Sequence, residues 1–275
     1  MKIKWYKDKQ LMNVNQKNEV TWLTYPAFEK FPGIVHGFST RLGGVSQGIY
    51  ESMNLSFTRG DDEAAVRENY RRLSMEDIVT SDQTHTTNVR VATEEDRGNG
   101  ITKPRPYTDV DGMITNVPGL VLATFYADCV PLFFIDPVHK AVGLSHSGWR
   151  GTVGKIGKAT VEKMTEEFQT DPSELYAAIG PSICQDCYEV SEDVIDQFRE
   201  AFEEKYWDAL FYRKPDGKYQ LNLWEANRRI FLDAGIKEER ISMPGICTCC
   251  NPLFLYSHRA SHGKRGNLGA FITVR

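Results

Sequence analysis

No stretch of apolar residues in this sequence approaches the ~20 needed to cross a bilayer as a helix. The amino terminus, MKIKWYKDKQLMNVNQ, starts positive but lacks the apolar core of a secretory signal, so a cytoplasmic protein is expected. Charge of one sign is scarce too. The 33 Lys and Arg against 37 Asp and Glu leave a net charge of −4, with no basic excess to grip nucleic acid. There is no internal repeat, no low-complexity tract and no composition shift that would mark a linker. Six cysteines in 275 residues are too few for a disulfide framework, which leaves free thiols, metal ligands or nucleophiles. What remains is ordinary for a globular chain able to bury a large core, with 41% hydrophobic and 25% charged residues.

The densest chemistry lies between Leu120 and Thr152. An apolar run leads to Asp128-Cys129 and continues through Val130 to Ile135. After a turn at Asp136-Pro137, a second run ends at Ser145-His146-Ser147-Gly148-Trp149-Arg150-Gly151. Two buried strands joined by a short turn are neighbours, so Cys129 and His146 are expected to face one place. The plainer alternative is a small buried thiol beside a hydrogen-bonded core histidine.

Elsewhere, strands are expected over residues 3–7, 20–24, 78–80, 89–92, 241–247 and 270–274. Helices are expected over 63–73, 151–168, from Ser191 to about Tyr206, and over 223–234 before Gly235. The polar segment Glu94–Arg105 reads as an exposed loop. Strands and helices intersperse without strict alternation, which indicates a single mixed-sheet domain of α/β or α+β type over residues 1–275.

A metal at Cys129 and His146 needs a third ligand, and His85, placed where a strand meets a loop, is the best candidate. Two imidazoles and a thiolate suit zinc and leave a fourth position for water or substrate. Asp128 would tune these ligands or act as an acid/base, or else is a turn carboxylate. The segment His36–Ser46, rich in small residues and containing Ser39, could bring backbone N–H groups to an anion. Arg41 would add a planar fork, and Arg150 stands at a helix start. Cys129 and His146 could alternatively serve as nucleophile and base of a hydrolase or deamidase. Cys184-x-x-Cys187 and Cys247-Thr-Cys-Cys250 look like a four-cysteine zinc site. Adjacent Cys249 and Cys250 on a strand would point to opposite faces, however, so no metal is expected there.

His36-Gly-Phe-Ser-Thr-Arg41 with Gly43-Gly44-Val45-Ser46 resembles the amino-terminal signature of the YfiH/YlmD-like family. That family was long labelled laccase-domain or polyphenol oxidase and is now assigned as purine nucleoside phosphorylases. Gln83-Thr84-His85, Asp109-Val110-Asp111-Gly112, Ala127–Pro131, His146–Thr152, Ile179–Ile183, Cys247-Thr248 and Ser257-His258-Arg259 follow in the family's order. The likeness spans roughly residues 30–275. It implies zinc held by His85, Cys129 and His146, with copper the metal of the older label. It implies phosphorolysis of adenosine, inosine, guanosine and methylthioadenosine, plus adenosine deamination. The fold it implies is the α+β form, with layered mixed sheets flanked by helices, related to cysteine hydrolases. Expected partners are purine nucleosides and phosphate, without nucleic acid or membrane, and a homodimer is compatible with it. Asp186-Cys187 departs from the adjacent cysteines the family often carries before Tyr188. Thr84 and Thr86 replace the more usual neighbours of the first histidine.

Overall fold

In the computed structural model, which describes residues 2–275, two mixed six-stranded sheets lie face to face with helices on their outer sides. The first sheet runs β1 (Asn13–Lys17), β2 (Val20–Thr24), β3 (Ile34–Ser39), β15 (Leu268–Val274), β7 (Val121–Tyr126) and β4 (Ile78–Thr80). Its neighbours are antiparallel except β7 and β4. The second runs β14 (Ile241–Ser242), β10 (Tyr176–Ile179), β8 (Val130–Asp136), β9 (Ala141–Ser147), β6 (Gly112–Thr115) and β5 (Val89–Val91), with parallel pairs only at its two edges. A small antiparallel sheet joins β11 (Glu189–Val190), β13 (Tyr219–Leu221) and β12 (Phe211–Arg213).

Burial follows the layers. Phe38, Leu122, Phe133, Val142, Leu144 and Ile272 pack between the two large sheets. Because β8 and β9 are covered on both faces, they are continuous apolar runs rather than alternating ones, and all fourteen of their residues are buried. Helix α1 (Glu63–Leu73) sends Val66 and Tyr70 against Val121 and Phe271 of the first sheet. The outer face of the second sheet meets α3 (Ile156–Phe168) and α6 (Leu223–Asp233) through Ile156, Val161, Met164, Ile230 and Phe231. The short helices α2 (Trp149–Val153), α4 (Glu192–Ala201) and α5 (Trp207–Leu210) complete that side. This is one α+β domain of layered mixed sheets flanked by helices, as expected.

Four expected elements come out differently. The helix expected from Ser191 to about Tyr206 ends at Ala201, where Phe202 turns extended (φ −128°, ψ 140°). The helix of residues 151–168 is two, because Lys155 adopts a left-handed backbone (φ 60°) between α2 and α3 and re-aims the chain. The strand of 241–247 stops after two residues, where Pro244 supplies no N–H and Gly245 turns at φ 62°. Residues 3–7 make a single bridge, Trp5 to Ile246, before Lys7 and Asp8 turn left-handed. The 94–105 segment is also less exposed than its polarity suggests. Asp96 is buried and accepts hydrogen bonds from Thr93 N (2.9 Å), Asn99 Nδ2 (2.9 Å) and Arg90 Nη2 (3.1 Å).

Among the described residues, no helix is long and apolar enough to cross a membrane.

Candidate metal centre and active-site cavity

The chain passes from the first large sheet to the second at the loop joining β4 to β5 and at the turn joining β7 to β8. His85 lies in that loop and Cys129 in that turn. His146 comes from β9, whose register sets it opposite Pro131 of β8. The potential ligand atoms of His85, Cys129 and His146 all lie within 4.8 Å of one another, and the two imidazoles meet edge-on with ring centroids 4.9 Å apart.

The residue that organises this cluster is Asp111, at the start of β6 and fully buried. One of its oxygens meets His146 Nδ1 at 2.7 Å. The other accepts from Thr84 N and Thr86 N, both at 2.9 Å. A single carboxylate thus orients one histidine ring and clamps the backbone on either side of the other histidine. With Nδ1 engaged by Asp111, His146 has Nε2 left for the cluster, an arrangement common among metal-bound histidines. His85 itself is held at φ 69°, a left-handed conformation costly for a non-glycine residue. In the sequence Asp111 stands out only as part of Asp109-Val110-Asp111-Gly112. Its 109–112 motif was the available signal.

Electrostatics reinforce the geometry. Burial alone would raise the Cys129 thiol, but His146 and then His85 outweigh it and bring its pKa down to about 6. Burial would lower His146, yet the Cys129 thiolate and Asp111 carboxylate raise it to about 9. The three side chains thus form a preset thiolate–imidazole group. Gly148 leaves it room: a Cβ there would sit 3.0 Å from His85 Cδ2 and 3.2 Å from Cys129 Sγ. Two nitrogens, one sulfur, a vacant shoulder and an exposed third ligand fit a metal with an open coordination position.

Asp128 is buried, at φ 88°, and its carboxylate is fully engaged. Oδ1 accepts from Thr248 Oγ1 and Oδ2 from Arg259 N, each at 2.6 Å. It fastens the turn carrying Cys129 to two carboxy-terminal segments.

A 480 Å³ cavity opens over the cluster, within the usual size of a small-molecule site. Its lining includes His85, Cys129 and His146, the apolar Leu55, Phe57, Phe125 and Ala127, and Arg59, Arg105 and Arg265. Arg105 is committed to Asp82, Thr80 Oγ1 and Ser81 O. Arg265 faces the cavity without a carboxylate partner, and its Nε has no hydrogen-bond partner at all. Burial and then the neighbouring Arg59 depress its pKa to about 10, the mark of an uncompensated cation.

Arg41, Ser39 and Arg150 are absent from that lining. The Arg41 guanidinium stacks on Tyr256 and spends its donors on Glu51 O (2.9 and 2.6 Å) and Pro252 O (2.6 Å). Ser39 is buried in β3 and accepts from Gly269 N at 2.8 Å. The small residues around them serve close packing instead of an anion: a Cβ on Gly44 would lie 2.1 Å from Ser52 O. The amides of Gly44, Val45 and Ser46 are already bonded to Ser52 and Asn69. Arg150 is exposed and stacked over Trp149.

Four of the remaining cysteines form a group that could hold a metal ion, against the expectation from sequence. Cys184, Cys187, Cys247 and Cys250 converge, with their sulfurs within 4.8 Å of one another. Cys249 and Cys250 lie in a turn, so the alternation of a strand does not apply to them, and the pair that joins the group is Cys247 and Cys250.

The model of the multi-copper polyphenol oxidoreductase laccase family matches residues 35–275. Purine nucleoside phosphorylase YlmD of Bacillus subtilis (strain 168) is 39% identical over 88% of this chain and 89% of its own length. Adenosine deaminase RL5, from an unknown prokaryotic organism, is 35% identical over 82% of this chain and 88% of its own. The crystal structure of YlmD from Geobacillus stearothermophilus superposes with a TM-score of 0.88 at 36% identity, covering 95% of this chain and 98% of that one. On sequence and on fold alike, the chain belongs to the laccase-domain family that includes YlmD.

Proposed function

We propose that the protein is a zinc-dependent purine nucleoside phosphorylase that also deaminates adenosine, acting on adenosine, inosine, guanosine and methylthioadenosine. The observation that carries this reading is one cavity with a His85/Cys129/His146 cluster on one wall and, on another, Arg265 and Arg59, which hydrogen-bond to neutral groups and have no carboxylate partner. Relatives named as a phosphorylase and as a deaminase support both activities on one site. Six free cysteines suit a reducing, cytoplasmic setting.

His85, Cys129 and His146 would hold the metal. Zinc, when bound there, supplies Lewis acidity and leaves one coordination position open. Asp111 keeps the proton of His146 on Nδ1, so that Nε2 faces the cluster. Leu55, Phe57 and Phe125 offer the purine an apolar surface that excludes water. In phosphorolysis, phosphate attacks the ribose anomeric carbon as the bond to the purine breaks. Arg265 and Arg59 replace Arg41, Arg150 and Ser39 as the residues that hold that phosphate, because both line the cavity and neither meets a carboxylate. Asp128 acts by positioning Cys129.

Inosine with phosphate should yield hypoxanthine and ribose 1-phosphate, and adenosine without phosphate should yield inosine. Release of free ribose without phosphate would indicate a hydrolase instead. Arg265→Lys should raise the Michaelis constant for phosphate about ten- to a hundred-fold, the loss of one charge-assisted contact of roughly 1.5–3 kcal/mol. Zinc content and deamination should change little. Equal loss of both activities would remove Arg265 from the phosphate site.

A second reading draws on the same electrostatics. A Cys129 thiolate beside a cationic His146 is also the resting state of a cysteine nucleophile. Zinc bound stoichiometrically without added metal would decide against it, since a ligating thiolate cannot attack.

A further inference from the structure

Away from the cavity, two Cys-x-x-Cys segments approach each other below the amino-terminal strand-like stretch. The loop after β10 supplies Cys184 and Cys187, and a turn near the carboxy terminus supplies Cys247 and Cys250. We propose that these four cysteines form a second metal centre, a closed tetrathiolate that binds zinc and locks the two segments together.

Zinc–sulfur bonds of about 2.3 Å in a tetrahedron separate the sulfurs by about 3.8 Å. All four sulfurs lie within 4.8 Å of one another, and those of Cys187 and Cys250 are 3.4 Å apart. Backbone amides point at the cluster: Cys184 N lies 3.2 Å and Cys250 N 3.4 Å from Cys247 Sγ. Such N–H donors stabilise a thiolate, as the outer partners of metal ligands do. A zinc ion with four thiolates remains anionic, and Lys4 and Lys7 line the same hollow. All-sulfur coordination selects a thiophilic ion, and four protein ligands leave no open position, so this centre is structural.

The two arms of the clamp both grip Asp128. Ile183 N, beside Cys184, donates to Asp128 O at 3.0 Å, and Thr248, beside Cys247, donates to its carboxylate. Thr248 N also bonds to Ser182 O at 3.1 Å. The tetrathiolate thereby fixes the turn that carries Cys129 without touching substrate.

Metal content of the full chain, purified without added metal, tests this. Wild type should hold about two zinc ions per chain, as expected for one open and one closed site. Cys187→Ser and Cys250→Ser should each fall to about one, and Cys129→Ala should also fall to about one. Grown on cobalt, the Cys129→Ala chain should show the intense thiolate-to-metal absorption of tetrahedral sulfur coordination, and Cys187→Ser should lose it. Should the serine variants not fold, Cys129→Ala still decides. A folded Cys129→Ala chain without zinc overturns the proposal, as does a Cys187–Cys250 disulfide in a non-reduced peptide map of wild type. If Cys129→Ala instead keeps both zinc ions, the tetrathiolate stands and the assignment of the His85/Cys129/His146 centre fails.

Discussion

The molecule holds two groups of side chains that could hold a metal ion, built on opposite plans. One mixes two imidazoles with a thiolate, leaves His85 exposed, keeps a shoulder clear at Gly148 and opens into a cavity. The other is all sulfur, has no vacant position and lies among backbone amides. The difference teaches where reaction and rigidity are divided. An incomplete, partly exposed ligand set can admit a substrate, whereas a complete one can only hold chain segments together. Asp128 joins the two, being gripped by the closed group and adjacent to a ligand of the open one.

The largest expected contrast between them is in thiol chemistry. In chain stripped of metal, alkylation of Cys129 by iodoacetamide should reach half its maximum near pH 6. Its pKa is depressed, so the thiolate is present above that pH and lost below it. Relative to an ordinary thiol near 8.5, this raises the thiolate fraction at neutral pH on the order of thirtyfold. In the other group burial pushes Cys187 up and a hydrogen bond with Cys184 pushes Cys247 up, so both should stay unmodified at pH 7. That same bond brings Cys184 down to about 6, but its burial should shield it from the reagent. Peptide mass mapping reads the contrast, and a Cys129 midpoint near 9 would mean that the histidines do not hold its charge.

Asp111→Asn should come next. It keeps the shape but removes the charge behind His146, and should weaken metal at the open centre about ten- to a hundred-fold. Chelator competition measures this, and the tetrathiolate should keep its ion. Unchanged affinity would mean that Asp111 serves the backbone of residues 84–86 alone. Gly148→Ala is the mildest. Its methyl would press on His85 and Cys129, and should cost on the order of tenfold in affinity at the open centre while leaving the melting temperature near wild type. A large fall in melting temperature would make Gly148 a general packing position.

Local features were readable from sequence, and features that depend on distant register were not. Both ends of α1 fall at the expected residues, because Asp62 caps its start through Ala64 N at 3.0 Å and Ser74 ends it at φ 53°. The meeting of Cys129 and His146 followed from one turn between two apolar runs. The part played by Asp111 depends on the pairing of β6 with β9, which sets Gly112 opposite Ser145, and no local pattern encodes that. Arg59 and Arg265 come from loops far apart in sequence and meet only across the cavity. The glycines at 43 and 44 misled for a physical reason: an absent side chain admits a neighbouring backbone as readily as it admits a phosphate. The alternation argued for Cys249 and Cys250 presupposes a strand; they lie in a turn, which brings together residues three apart, and Cys247 with Cys250 completes the group.

Strand β15 occupies the middle of the first sheet, between β3 and β7, although residues 268–274 are made well after every other strand of that sheet. Until they leave the ribosome, β1–β3 and β7–β4 are separate fragments with unpaired inner edges. Arg265 and Asn267, on the cavity wall, immediately precede this strand. During synthesis the nascent chain therefore cannot assemble this cavity early, however soon His85 and Cys129 emerge. Folding waits on a long-range closure, a slow step that leaves strand edges open to aggregation and makes them natural targets for chaperones.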